Sequence, residues 1–108
     1  MDDEWPPREN RVQAALWEAE GCLERGEYLP ATDALARVFG LAGEREGLVR
    51  GLHHLAAAGY RAQTADARGA RRQLDHACRR LAPFPEAEPL IELVRRDVES
   101  TGGELAAP

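Results

Sequence analysis

The chain contains no lysine; all fourteen basic residues are arginine. Arginine is used everywhere rather than at one site, so we read this as coding bias from a GC-rich gene and not as mechanism. Two cysteines, Cys22 and Cys78, are too few for a small disulfide scaffold. They are expected to be reduced thiols in a cytoplasmic protein. No apolar run approaches the ~18 residues of a membrane-spanning helix. Aromatic residues make up only 6%, so alanine and leucine must supply most of the packing. No segment alternates at period two, which leaves no strand candidate. Without strands there is also no strand-borne glycine loop to cradle a phosphate.

A length of 108 residues fits one domain with one modest core. The net charge of -5 argues against a phosphate-backbone partner. The charge is uneven, however. Residues 61–80 hold Arg61, Arg68, Arg71, Arg72, Arg79 and Arg80 against Asp66 and Asp75.

Apolar residues recur at helical spacing between glycine and proline breaks. Val12, Leu16, Ala19 and Leu23 form one stripe. Trp17 falls about 140° from Val12 at ~100° per residue, off that stripe, as an edge or partner residue. Ala31, Ala34, Leu35 and Val38 form a second stripe, with Pro30 in the first turn. Leu48, Leu52 and Leu55, among many glycines and alanines, mark a central third helix. Ala67, Ala70, Leu74, Ala77 and Leu81 repeat at 3, 4, 3 and 4. Pro89 opens a helix carrying Leu90, Ile91, Val94 and Val98. These patterns predict an all-α compact bundle of about five helices, near 9–25, 30–39, 44–62, 67–81 and 89–99. Residues 1–8 read as a disordered leader, 9–100 as a single helical-bundle domain and 101–108 as a flexible tail. Leu52, Leu55 and Leu74 are predicted core residues.

The stretches "LERGEYLPATDALARVF", "LVRGLHHLAAAGYRA" and "RGARRQLDHACRRLAPFP" resemble the prokaryotic domain of unknown function 309 family. The resemblance covers about residues 13–99. Tyr28, Ala31, Leu35, Gly51 and Ala56 match its pattern. The resemblance implies a compact helical bundle and supplies no activity. Members carry a His-Glu pair where this chain has Thr32-Asp33, and a glutamine where it has His54.

The residues with chemistry form no specific motif. His53 and His54 are adjacent and diverge by about 100° on a helix, so they cannot grip one ion together. No i, i+4 ligand pair exists among His53, His54, His76, Asp33, Cys22 and Cys78, and no metal or other cofactor is expected. Cys78 and His76 lie on different faces of one helix, and no catalytic residue is assigned. Glu86 and Glu88 read as a solvated face. Arg68, Arg72 and Arg79 share a face, either as a clamp for an acidic partner or as a solvated surface with pairs such as Arg71 to Asp75. His54 has two readings. One is a solvated histidine beside Arg50 and Arg61. The other is a ligand-binding polar site between helices two and three, formed by Tyr28, Thr32 and His54 with Asp33 at its rim. His53 is assigned to packing.

The resulting expectation is a small non-catalytic, cytoplasmic interaction module with an interface at Trp17 or at Arg68, Arg72 and Arg79. Its partner is expected to be another protein or a second copy, with no membrane, and the acidic total disfavours nucleic acid. The alternative is a small enzyme or ligand-binding protein using the Tyr28–His54 site. A weaker alternative is nucleic-acid binding through the arginine-rich fourth helix.

Overall fold

A computed structural model describes the backbone of residues 7–106 and the side chains of residues 7–101. Five α-helices follow one another: α1 Arg8–Glu24, α2 Tyr28–Ala36, α3 Glu46–Gln63, α4 Ala67–Leu81 and α5 Glu88–Ala106. Short 3-10 turns at Gly43–Arg45 and Pro85–Ala87 precede α3 and α5. Among the described residues there is no strand. The chain is an all-α bundle, as its periodicity predicts.

Most boundaries shift by one or two residues from the sequence reading, and three differences have a clear cause. α1 starts at Arg8, because the Pro7 carbonyl accepts from the amides of Asn10 and Arg11 and so opens the helix. The leader expected at 1–8 therefore ends in helix, and positions 1–6 lie outside the described residues. α2 begins earlier and ends earlier than 30–39, because the amides of Val38 and Phe39 reach back only three residues, to Leu35 and Ala36. The tail expected at 101–108 is helical to Ala106. Thr101 explains part of this: its hydroxyl donates to the Ala62 carbonyl at 3.1 Å and ties α5 to the end of α3.

α3 is the central helix and packs on α2, α4 and α5. Leu52 and Leu55 are almost fully buried, and Leu74 of α4 is buried beside them in the same core. α1 contributes Val12, Leu16, Ala19 and Leu23, the stripe expected of it, and α5 contributes Leu90, Ile91, Val94 and Val98. Burial of this apolar surface is the main favourable term, at roughly 25 cal/mol per Å² removed from water.

α3 and α4 lie antiparallel and close. A Cβ at Gly51 would stand 2.5 Å from Leu81 Cδ2, so only glycine lets the helices approach this far. The connection between them is short. Ala65 takes a left-handed conformation (φ 62°), and the Asp66 carboxylate then caps α4 by accepting from the Gly69 amide at 2.9 Å.

Candidate functional site

The polar residues proposed for one site between α2 and α3 turn to three different partners. Tyr28 opens α2 and is buried, its ring against Gly59, where a Cβ would collide with it. Its hydroxyl donates to Asp97 Oδ2 of α5 at 2.6 Å. Burial, and then the bond and charge of Asp97, push the phenol well above its ordinary value. Thr32 donates to the Leu29 carbonyl of its own helix at 2.7 Å. Asp33 is exposed. His54 is half-buried, and its Nδ1 meets Gln73 Oε1 of α4 at 2.8 Å. Position along α3 is the physical reason. Gly47, Gly51, His54 and Arg61 recur at spacings of 4, 3 and 7 and meet Phe84, Leu81, Gln73 and Asp66 in turn. His54 therefore belongs to the face covered by α4, and the α2–α3 polar site is not assembled.

His53 is the histidine that turns toward the second helix's end. Its ring meets Phe39 edge-on with centroids 5.0 Å apart, and the Arg50 guanidinium lies 4.4 Å above the same phenyl ring. Burial, and then the neighbouring His54 and Arg50, lower its basicity. Packing is its role, as the sequence suggested.

His54 is also the start of a short polar chain. Its ring lies 5.3 Å from that of His76, tilted by 30°. Arg79 Nη2 sits 3.0 Å from His76 Nδ1. Arginine can only donate, so His76 Nδ1 carries the lone pair and its proton is on Nε2. Gln73 Oε1 can only accept, so His54 Nδ1 donates. Among the described residues no three metal-ligating side chains come together. Cys78 turns away from His76, with its sulfur 3.7 Å from Arg95 Nη2 of α5. A groove of about 520 Å³ joins Arg8, Glu9 and Arg45 over Val12 and Leu41, with no histidine, cysteine or hydroxyl lining it.

Several arginines outside α4 are ion-paired. Arg25, Arg37, Arg50, Arg61 and Arg95 each pair with a carboxylate, of Glu27, Glu18, Glu46, Asp66 and Glu92 respectively. On α4, Arg68, Arg71, Arg72 and Arg80 are exposed and make no ion pair among the described residues. Arg79 bonds only His76. The intrahelical Arg71–Asp75 pair of the solvated-surface reading does not form. Arg68, Arg72 and Arg79 fall within about 40° of one another at ~100° per residue. Their face carries Asp75, and Asp66 at the helix start acts on Arg72 without an ion pair to it.

A second surface lies across α1 and α5. Trp17 is 66% exposed, the most of any large apolar side chain described. Glu20 and Glu24 follow it at i+3 and i+7, on the same side of α1. They border a groove of about 410 Å³ with Glu86, Pro89, Leu90 and Leu93. Burial raises the Glu20 carboxyl, the charges of Glu24 and Glu86 add to the rise, and Arg45 opposes it. The sequence reading picked out Trp17 but missed this acidic groove. Its only local signal was the unrelieved i, i+4 pair of Glu20 and Glu24.

No helix of the described residues is long and apolar enough to cross a membrane. No family model, no curated protein and no solved structure matches the chain.

Proposed function

We propose that the chain is a small non-catalytic interaction module that docks an acidic protein surface on the exposed face of α4. One observation carries the reading. Arg68, Arg72 and Arg79 share one face of α4, with Arg71 at its edge, and form no ion pair among the described residues, while five arginines elsewhere are paired. Guanidinium groups present paired donors that match carboxylates. A row left unpaired within one chain is available to a partner. The non-catalytic part rests on the separation of reactive groups: Cys78 turns to Arg95, His76 to Arg79 and Tyr28 to Asp97. Two free thiols support a cytoplasmic setting. The resemblance to the domain of unknown function 309 supports a bundle of this kind and adds no activity. The net charge of -5 weighs against nucleic acid, since the remainder of the surface repels phosphate.

The test is fluorescence anisotropy of a labelled oligo-glutamate peptide titrated with the full chain, beside duplex DNA of similar charge. The peptide should bind at low salt, weaken as salt rises, and lose binding to Arg72→Glu/Arg79→Glu. Peptide binding that is absent, or indifferent to that reversal, overturns the reading. DNA bound at least ~tenfold more tightly than the peptide replaces it with the nucleic-acid reading.

A further inference from the structure

The chain carries both halves of a complementary contact, and they are not joined to each other. The arginine face of α4 carries Asp75 and, at the helix start, Asp66, and neither forms an ion pair with Arg68, Arg72 or Arg79. The α1–α5 groove is ringed by Glu20, Glu24 and Glu86 over Pro89, Leu90 and Leu93, with Arg45 the one cation acting on Glu20. No ion pair among the described residues links the α4 face to these glutamates. α4 packs on α3 and α5, whereas α1 packs chiefly on α2.

We infer that the acidic partner is a second copy of this chain, whose α1–α5 groove receives the α4 arginine face of its neighbour. This rests on the reading of α4 as a docking face. Three features fit the two surfaces together. The charges are opposite, and the acidic side is crowded: Glu24 and Glu86 both act on Glu20 against Arg45, and like-charge crowding of this kind is released by an incoming cation. The spacings agree. Arg72 and Arg79 are seven residues apart on one side of α4, and Trp17 and Glu24 are seven apart on one side of α1. Each pair spans about 10 Å of helix, so helix can lie along helix with both ends engaged. The exposed indole of Trp17 supplies a π face for a guanidinium, and tryptophan and arginine are the residues that most often anchor interfaces.

The contact joins two different surfaces, so it is head-to-tail. Such contacts build rings where the rotation closes and open chains where it does not. Its charged character makes it salt-sensitive.

Sedimentation or light scattering on the full chain, at low and high salt, tests the inference. The wild-type protein should associate at low salt and dissociate at high salt. Glu24→Arg and Arg72→Glu should each abolish association alone, and mixing the two variants should restore it, because the mixture offers one intact face to one intact groove. Trp17→Ala should weaken association by about three- to thirtyfold. Both charge reversals replace exposed side chains, and circular dichroism with thermal melts confirms that each variant is folded. A protein that stays monomeric at low salt, or variants that fail to rescue each other, overturns the inference. If oligo-glutamate binding persists in that case, the docking face stands and its partner is another protein.

Discussion

Tyr28 and Asp97, separated by sixty-nine positions, meet in a 2.6 Å hydrogen bond that fastens the start of α2 to α5. The phenol ring passes over Gly59 on its way, so one side chain spans α2, α3 and α5. The bond is made by the protonated phenol. Its ordinary value, near 10, is raised in the fold by burial first and Asp97 second.

Tyr28→Phe should cost about 1 kcal/mol, read as a lower denaturation midpoint with an unchanged slope. The loss is modest because Asp97 is exposed and regains water. The pH dependence has a definite sign. A group whose folded value is raised contributes stability that is complete below its unfolded value and is lost as pH rises through the folded one. Wild-type stability should therefore fall above about pH 10, and Tyr28→Phe should flatten that part of the curve. Parallel alkaline limbs would remove Tyr28 from the account.

Glu46 should show the opposite behaviour. Its carboxylate accepts from the Gly40 amide at 2.8 Å, the Ala42 amide at 3.2 Å and Arg50 Nε at 2.7 Å. The Gly40 bond leads in holding its carboxyl below the ordinary carboxylate value. Its contribution is present above the unfolded value and lost as pH falls through the folded one. Glu46→Gln should lower the melting temperature at neutral pH and shrink the difference from wild type below about pH 4. Equal melting temperatures at pH 7 would show that the carboxylate does not hold the α2–α3 connection.

Leu55→Ala should destabilise by about 2–5 kcal/mol, since Leu55 is fully buried on the central helix. Gly51→Ala should cost about 1–3 kcal/mol by a different route, forcing Leu81 away from a Cβ that has no room. Chemical denaturation separates these effects from a neutral substitution at exposed Arg71.

Ala65→Gly should be neutral to stabilising, by up to about 1 kcal/mol. Left-handed backbone costs an L-residue roughly 1–2 kcal/mol, and glycine gives part of that back in unfolded-chain entropy. A fall in melting temperature of several degrees would mean that the Ala65 methyl packs usefully.

The helices were legible because apolar residues at 3 and 4 spacing can be buried in only one orientation. Leu52, Leu55 and Leu74 follow from this directly. A helical wheel ranks the faces of α3 but does not say which neighbour covers each. The wheel therefore leaves His54 open between solvent and a site with Tyr28 and Thr32 on α2. Close packing through Gly51 gave that face to α4 instead. The arginine content of 61–80 was visible in sequence, whereas its lack of pairs was not, because i, i+4 spacing permits the Arg71–Asp75 pair without requiring it. The acidic groove was hidden because Glu86 joins Glu20 and Glu24 only after the chain has folded back.

The close fit of α3 on α4 also bears on the order of folding. Contacts from Arg61–Asp66 outward to Gly51–Leu81 and Gly47–Phe84 nest around a single short turn. Closing such a small loop costs little entropy, while joining Tyr28 to Asp97 requires most of the chain to be gathered first. The α3–α4 hairpin is therefore the expected nucleus, and α5 docks late. Gly51→Ala should slow refolding, whereas Tyr28→Phe should chiefly speed unfolding, a division that stopped-flow kinetics on the two variants would reveal.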